Sequence, residues 1–216
     1  MHNKNKIKFL IIHYKKLTDR KRHLDNYFQL NEFNHEYIDN FDRDKLTKAQ
    51  VNKFSKDKIN IAIFLSHIEA YKIIIRENIE YCLVLEDDSI PKEIFTSSIG
   101  KYLKKLPADF DMFFISPGKN NFNIPFFKRK PFSIVHNKKN IETSWGGHGA
   151  SRNADAYFIS KKCASLLVNE YTNSNIIDEP IDWWMNSMID KFNLKIYWAQ
   201  PTLVDTNLYE TSFNIK

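Results

Sequence analysis

Three acids stand side by side at the end of an apolar run: Glu86, Asp87 and Asp88 in "YCLVLEDDSIP", residues Tyr81 to Pro91. Adjacent carboxylates repel one another, and each resists losing its water. If the run is a strand, residues two apart face the same side. Glu86 and Asp88 then face one way and Asp87 the other. Carboxylate oxygens are ligands for hard divalent cations such as Mn²⁺ or Mg²⁺, which leave positions for phosphate oxygens. The competing reading makes Asp88 or Ser89 the N-cap of a helix that starts near Pro91, where an acid also meets the helix dipole. That explains one acid and not three.

Other residues have the types and positions to join such a site. His13 and Tyr14 end the apolar run "IKFLIIHY". Ser66 and His67 sit inside the apolar helix "NIAIFLSHIEAYKII". A single histidine there is more often a satisfied core residue than a ligand. Asp182 falls in the first turn of a helix opened by Pro180, where the dipole favours its ionised form. Trp183 and Trp184 are adjacent on that helix, so one can face a ligand while the other is core. Glycine in "WGGHGA" permits close backbone approach to a ligand.

The elements that must position these residues follow from hydrophobic periodicity. Strands are expected at Ile7 to Tyr14, in "NHEYIDNF" ending near Asp39, in "YCLVLEDD", at Phe110 to Pro117, in "DAYFIS" and in "LKIYWAQP". Helices are expected at Thr18 to Leu30, capped by Thr18 or Asp19, and at Ile59 to Asn78. Further helices follow in "PKEIFTSSIGKYLKKL", with Pro91 near the first turn, in "KKCASLLVNEY" and in "EPIDWWMNSMIDKF". A short helix interrupts "DRDKLTKAQVNKFS". Residues 118 to 153 read as a long irregular excursion with short strands, and the C-terminal tail as loop. No repeat or low-complexity linker divides the chain, so residues 1–216 are taken as a single domain. Alternating strands and helices imply an α/β fold, a three-layer α/β/α domain with a mostly parallel central sheet. Ligands bind at the carboxyl ends of strands in such sheets, where the acidic triplet falls.

Composition sets the outer bounds. Hydrophobic residues make up 43% of the 216 residues, which excludes a disordered chain. The net charge of +6 comes mostly from scattered lysines, as on a solvated surface. Apart from "FFKRKPF", the interleaved arginines and aromatics of a nucleic-acid groove are missing, so no nucleic-acid partner is expected. No stretch has the length of a membrane span and the N-terminus lacks a cleavable leader, so a cytoplasmic protein is expected. Peripheral contact with a membrane surface is compatible with this. Cys82 and Cys163 lie in apolar contexts and are expected as buried free thiols.

Six segments, in order, resemble glycosyltransferase family 25, the group of lipooligosaccharide and collagen galactosyltransferases. They are "FLIIHYKKLTDRKRHL", "NIAIFLSHIEAYKII", "CLVLEDDSIP", "DAYFISKKCASLLV", "EPIDWWM" and "AQPTLV". The chain departs from the family pattern at His13 and Tyr14, at Asn60 to Ile63, and after Val204. The resemblance implies a GT-A-like fold, a UDP-sugar donor carrying galactose or glucose, a glycan or glycoconjugate acceptor, and Mn²⁺ (or Mg²⁺). Carried over residue by residue, it implies Asp88 as main metal ligand and Glu86 at the metal or ribose, with Asp87 assisting. His148 would be the third ligand, with Asp205 competing. His13 and Tyr14 would lie under the base and ribose, Arg20 at the diphosphate or bracing its loop, Asp39 at ribose or base, and Ser66, His67 and Gly147 nearby. An inverting transfer needs a general base; Asp182 is the candidate and Glu179 the reserve. The alternative is a non-catalytic nucleotide-sugar or glycan-binding relative. A nucleotidyltransferase is disfavoured because "HYKKLTDRKR" has no glycine.

Overall fold

The structure is a computed structural model and describes residues 7–118, 122–145 and 147–206. In chain order the elements are β1 (Lys8–Ile12), α1 (Thr18–Asn31), β2 (Asn34–Ile38), α2 (Lys48–Asn52), α3 (Lys58–Arg76), β3 (Tyr81–Glu86), β4 (Ile90–Pro91), α4 (Phe95–Lys105), β5 (Met112–Phe114), β6 (Val135–Asn137), β7 (Ala156–Ser160), α5 (Lys161–Asn173), α6 (Ile181–Phe192), β8 (Ile196–Ala199) and β9 (Val204–Asp205).

The apolar runs become strands because both of their faces are covered. Leu10, Ile12, Val84, Tyr157 and Ile159 point to one core, shared with Ile61 and Leu65 of α3, Leu167 of α5 and Trp184 of α6. Phe9, Ile11, Leu83, Leu85 and Phe158 point to the other, shared with Leu24 and Phe28 of α1 and Phe95 and Ile99 of α4. Alternation along the strands thus builds the expected three layers. Cys82 and Cys163 are buried and unbridged.

Seven strands pair in the order β2-β1-β3-β7-β5-β8-β6. β1 runs parallel to β2 and β3, and β5 parallel to β8. β7 is antiparallel to both β3 and β5, and β6 antiparallel to β8. The sheet is therefore mostly parallel, with β7 and β6 reversed.

Three local expectations are corrected. Pro91 does not open a helix: Ile90 and Pro91 pair with Asp205 and Val204 in a separate two-stranded ribbon, and α4 starts only at Phe95. A proline is tolerated there because a ribbon edge does not need its missing N–H. At α1, Leu17 holds the N-cap position without a side-chain cap, so Thr18 and Asp19 are already helical. By contrast, α3 starts at a full cap, Asp57, whose carboxylate accepts the backbone N–H of Ile59 and Asn60. The tail, expected as loop, supplies strand β9 at Val204–Asp205 to the ribbon with β4; beyond Thr206 it lies outside the described residues.

Candidate active site

The acidic triplet is pinned by its backbone before its side chains act. The Glu86 N–H donates to the Asp155 carbonyl (2.8 Å), at the head of β7, and the Asp87 N–H to the Ile12 carbonyl (3.1 Å), at the end of β1. The N-cap reading of Asp88 fails because the following residues enter β4 rather than a helix.

Asp87 points inward, buried. One oxygen accepts from Arg20 Nη1 (2.7 Å). The other meets His13 Nδ1 (2.8 Å) and accepts the Tyr14 backbone N–H (3.2 Å). Arg20 is itself buried and also stands 3.7 Å from Asp88. Asp87, Arg20 and His13 therefore tie the loop after β1 and the first turn of α1 to the end of β3.

Glu86 is held from beneath by α3. His67 is fully buried and places Nε2 3.2 Å from Glu86 Oε1. Its Nδ1 is 2.8 Å from the Tyr157 hydroxyl, which is 2.6 Å from the Tyr71 hydroxyl. A bound cation would keep Glu86 ionised, and an ionised Glu86 only accepts. The proton is then on Nε2, Nδ1 accepts from Tyr157, and Tyr157 accepts from Tyr71. Burial pushes the His67 pKa down to about 3, so the ring is neutral, as this chain of bonds requires.

Glu86 and Asp88 share the wall of an open cleft of about 360 Å³ with Asp155, Asp182, Trp183 and Asn60. No basic residue lines it among the described residues. Burial, then the charges of Asp88, Asp87 and Asp182, pushes Glu86 well above the ordinary carboxylate range, with Arg20 opposing. Burial and then Asp87 raise Asp88. Asp155 is raised to about 8 by burial, although its carboxylate accepts from Ser116 Oγ (2.7 Å). The other Asp155 oxygen is buried without a partner. Ionised carboxylates facing one cleft repel one another, and a bound cation relieves that repulsion and favours the ionised forms. Among the described residues, no three His, Cys, Asp or Glu side chains form a ready-made metal cage. Carboxylate oxygens from Glu86 and Asp88 nevertheless suit a hard cation that completes its shell with phosphate oxygens and water.

A smaller pocket of about 60 Å³ adjoins this cleft; Ile63 lines both. His13, Tyr14, Phe41, Arg43 and Ser66 surround it. Arg43 lies over the Tyr14 ring at 5.2 Å from its centroid. His13 Nε2 is buried and unpartnered. Ser66 Oγ donates back to the Ala62 carbonyl (2.9 Å), one turn earlier.

The remaining expected residues lie elsewhere. Asp39 pairs with Lys15 at 3.5 Å. Gly147, at φ +64°, is tied into a turn with Thr143. His148 bonds the Lys139 carbonyl (3.0 Å) and Asp205 pairs with Lys92 (3.1 Å); neither lines the acidic cleft. Glu179 accepts from Ser187 Oγ (2.8 Å) and is likewise absent from that wall. Of the two tryptophans, Trp184 is buried against Phe64, and Trp183, 44% exposed, faces the cleft.

Sequence reasoning missed Asp155 and Arg43. Asp155 did carry a signal, an acid directly at the head of the apolar strand "AYFIS". Arg43 carried none, because its position depends on how the segment after β2 folds over Tyr14.

An acidic cleft at the carboxyl end of β3, with an aromatic pocket beside it, stands where α/β sheets bind their ligands. The sequence model of glycosyltransferase family 25 (LPS biosynthesis protein) matches residues 6–185, and the chain belongs to that family. The crystal structure of a glycosyltransferase involved in the glycosylation of the major capsid of PBCV-1 is similar in fold. Its TM-score is 0.53 at 12% identity, covering 95% of this chain and 94% of that one. The apo form of mouse xyloside xylosyltransferase 1 matches at TM-score 0.37 and 14% identity, covering 87% of this chain and 63% of that one. A comparison with curated proteins finds no match. Glycosyl transfer is the general chemistry of the family.

Proposed function

We propose that the chain transfers a hexose, galactose or glucose, from a UDP-sugar to a hydroxyl of a glycan or glycoconjugate, with inversion and with help from a divalent cation. The observation that carries this reading is the cleft wall itself: four carboxyl groups and, among the described residues, no Lys, Arg or His. Such a wall offers a bare diphosphate no positive charge and accepts one that arrives with a cation.

The residues divide the work. The pocket of His13, Tyr14, Phe41 and Arg43 takes the edge of the base, with Tyr14 and Phe41 offering apolar faces and the unpartnered His13 Nε2 a hydrogen bond. Glu86 and Asp88 would hold Mn²⁺ or Mg²⁺, which when bound stabilises the charge developing on the leaving diphosphate. Asp87 and Arg20 keep that pair oriented. The sugar lies over the cleft between Trp183 and Asp155, whose buried free oxygen suits a sugar hydroxyl.

Asp182 is the proposed general base. It lies on the same wall as Glu86 and Asp88, in the first turn of α6. It takes the proton of the acceptor hydroxyl as that oxygen bonds to the anomeric carbon and the bond from that carbon to the diphosphate breaks. Glu179, bonded to Ser187, is worse placed for this task.

The test is UDP release from a set of UDP-sugars, with and without Mn²⁺, by the native chain and by Asp88→Asn. Cation-dependent release that falls at least about 100-fold in the variant supports the reading. Release indifferent to both cation and Asp88 contradicts it.

A further inference from the structure

Three phenylalanine rings stand in solvent within seven residues. Phe126, Phe127 and Phe132 are 85%, 83% and 105% exposed. They account for three of the seven large hydrophobic side chains exposed among the described residues. Grouped exposed apolar side chains mark a contact surface more often than scattered ones do. Phe132 also holds a left-handed backbone, φ 57°. A bulky residue seldom adopts that conformation, and here no packing of its own ring compensates for the strain.

The charges around these rings are one-sided. Lys128, Arg129 and Lys130 lie between them. From Met112 to Ile141 the sequence contains six Lys and Arg and no Asp or Glu. The whole chain has 32 basic and 26 acidic residues, so the rest of it, with 26 of each, is neutral. The entire formal excess of +6 therefore belongs to this stretch. Beside the rings, Lys105 of α4 joins Lys128, Lys130 and Phe132 around a groove of about 600 Å³. The groove also includes β6 residues, at the sheet edge four strands from β3, roughly 19 Å away at about 4.8 Å per strand. This surface is separate from the acidic cleft.

We propose that the Phe126–Phe132 segment docks the protein on an anionic phospholipid bilayer. The phenyl rings enter the interface between headgroups and acyl chains, and Lys128, Lys130 and Lys105 meet the lipid phosphates. Apolar rings flanking a basic cluster match such a surface on both counts, since apolar burial and attraction to anionic lipid add together. A single-stranded nucleic acid would use rings set along a basic groove as stacking platforms. Here only Phe132 of the three lines the groove, which favours the bilayer. The inference does not depend on the chemistry of the cleft.

Flotation of the full chain with vesicles tests it. Vesicles of phosphatidylcholine alone are compared with vesicles of phosphatidylcholine and phosphatidylglycerol, at low and high salt. Two variants are used, Phe126→Ser/Phe127→Ser/Phe132→Ser and Lys128→Gln/Lys130→Gln. Arg129 stays, because its Nε donates to the Ile124 carbonyl (2.7 Å). Thermal melting confirms that both variants fold. The expected result is binding to the phosphatidylglycerol vesicles only. The double Lys variant should bind about 25-fold more weakly, at about five-fold per base, and the Phe variant should lose the binding that survives high salt. Absence of vesicle binding, or variants that bind as the native chain does, would overturn the proposal. So would displacement from vesicles by a single-stranded oligonucleotide bound through the same residues.

Discussion

At the end of β3 the three acids act in different directions. Asp87 is internal and answers Arg20, while Glu86 and Asp88 face the cleft. Breaking a buried pair strands the remaining charge. Arg20→Leu should therefore destabilise the fold by about 3–5 kcal/mol, measured by urea unfolding, and Arg20→Lys by less, since lysine keeps the charge but loses the planar fork. His67 sets a pH dependence. Its folded pKa of about 3 lies below the ordinary 6.5, so between those values the unfolded chain takes up a proton that the folded chain refuses. Stability contributed by His67 is complete above pH 6.5 and is lost as pH falls toward 3, with a slope of at most ~1.4 kcal/mol per pH unit. In His67→Gln, which can still bond Glu86, melting temperatures between pH 6.5 and 4 should fall less steeply than in the native chain. Parallel curves would mean that His67 is charged in the fold. The triplet and its alternation were legible in the sequence because three adjacent acids after an apolar run are costly without a task. The partner of Asp87 was not, since the sequence does not record which way Arg20 leaves its helix.

Elements carry these residues to one place. α3 supplies Asn60, Ile63 and Ser66 to the two pockets and His67 beneath Glu86. Its first turn, where Asn60 sits, depends on the Asp57 cap. Asp57→Ala should cost about 0.5–2 kcal/mol by chemical denaturation, whereas Asp19→Ala, at an exposed position in α1 with no cap role, should cost much less. Periodicity exposed α3, α5, α6 and the buried strands, because continuous apolar runs and 3.6-residue stripes record which faces are covered. They do not record direction. The run "AYFIS" has the same pattern in either orientation, and only the connection from the excursion after β5 makes β7 antiparallel. Pro91 misled for a related reason. A proline suits both a helix start and a ribbon edge, and the choice is made by Val204, more than 100 residues away in the chain.

For the whole molecule, the two cores share one sheet. Phe9 and Leu10 are neighbours in β1 yet belong to opposite cores, so neither core can melt while the other keeps its strand. Far-ultraviolet circular dichroism and tryptophan fluorescence should therefore report one coincident urea transition; two separated transitions would mean independent units. Among the described residues no helix is long and apolar enough to cross a membrane. The chain belongs to glycosyltransferase family 25, and its central proposed feature is a cleft that takes a diphosphate only together with a cation. Calorimetric titration of UDP into the protein, with Mn²⁺ present and absent, tests that claim most directly. UDP should bind with Mn²⁺ and little or not at all without it, and Asp88→Asn should lose the Mn²⁺ effect while the fold is retained. Equal UDP binding with and without Mn²⁺, unchanged in Asp88→Asn, would contradict it.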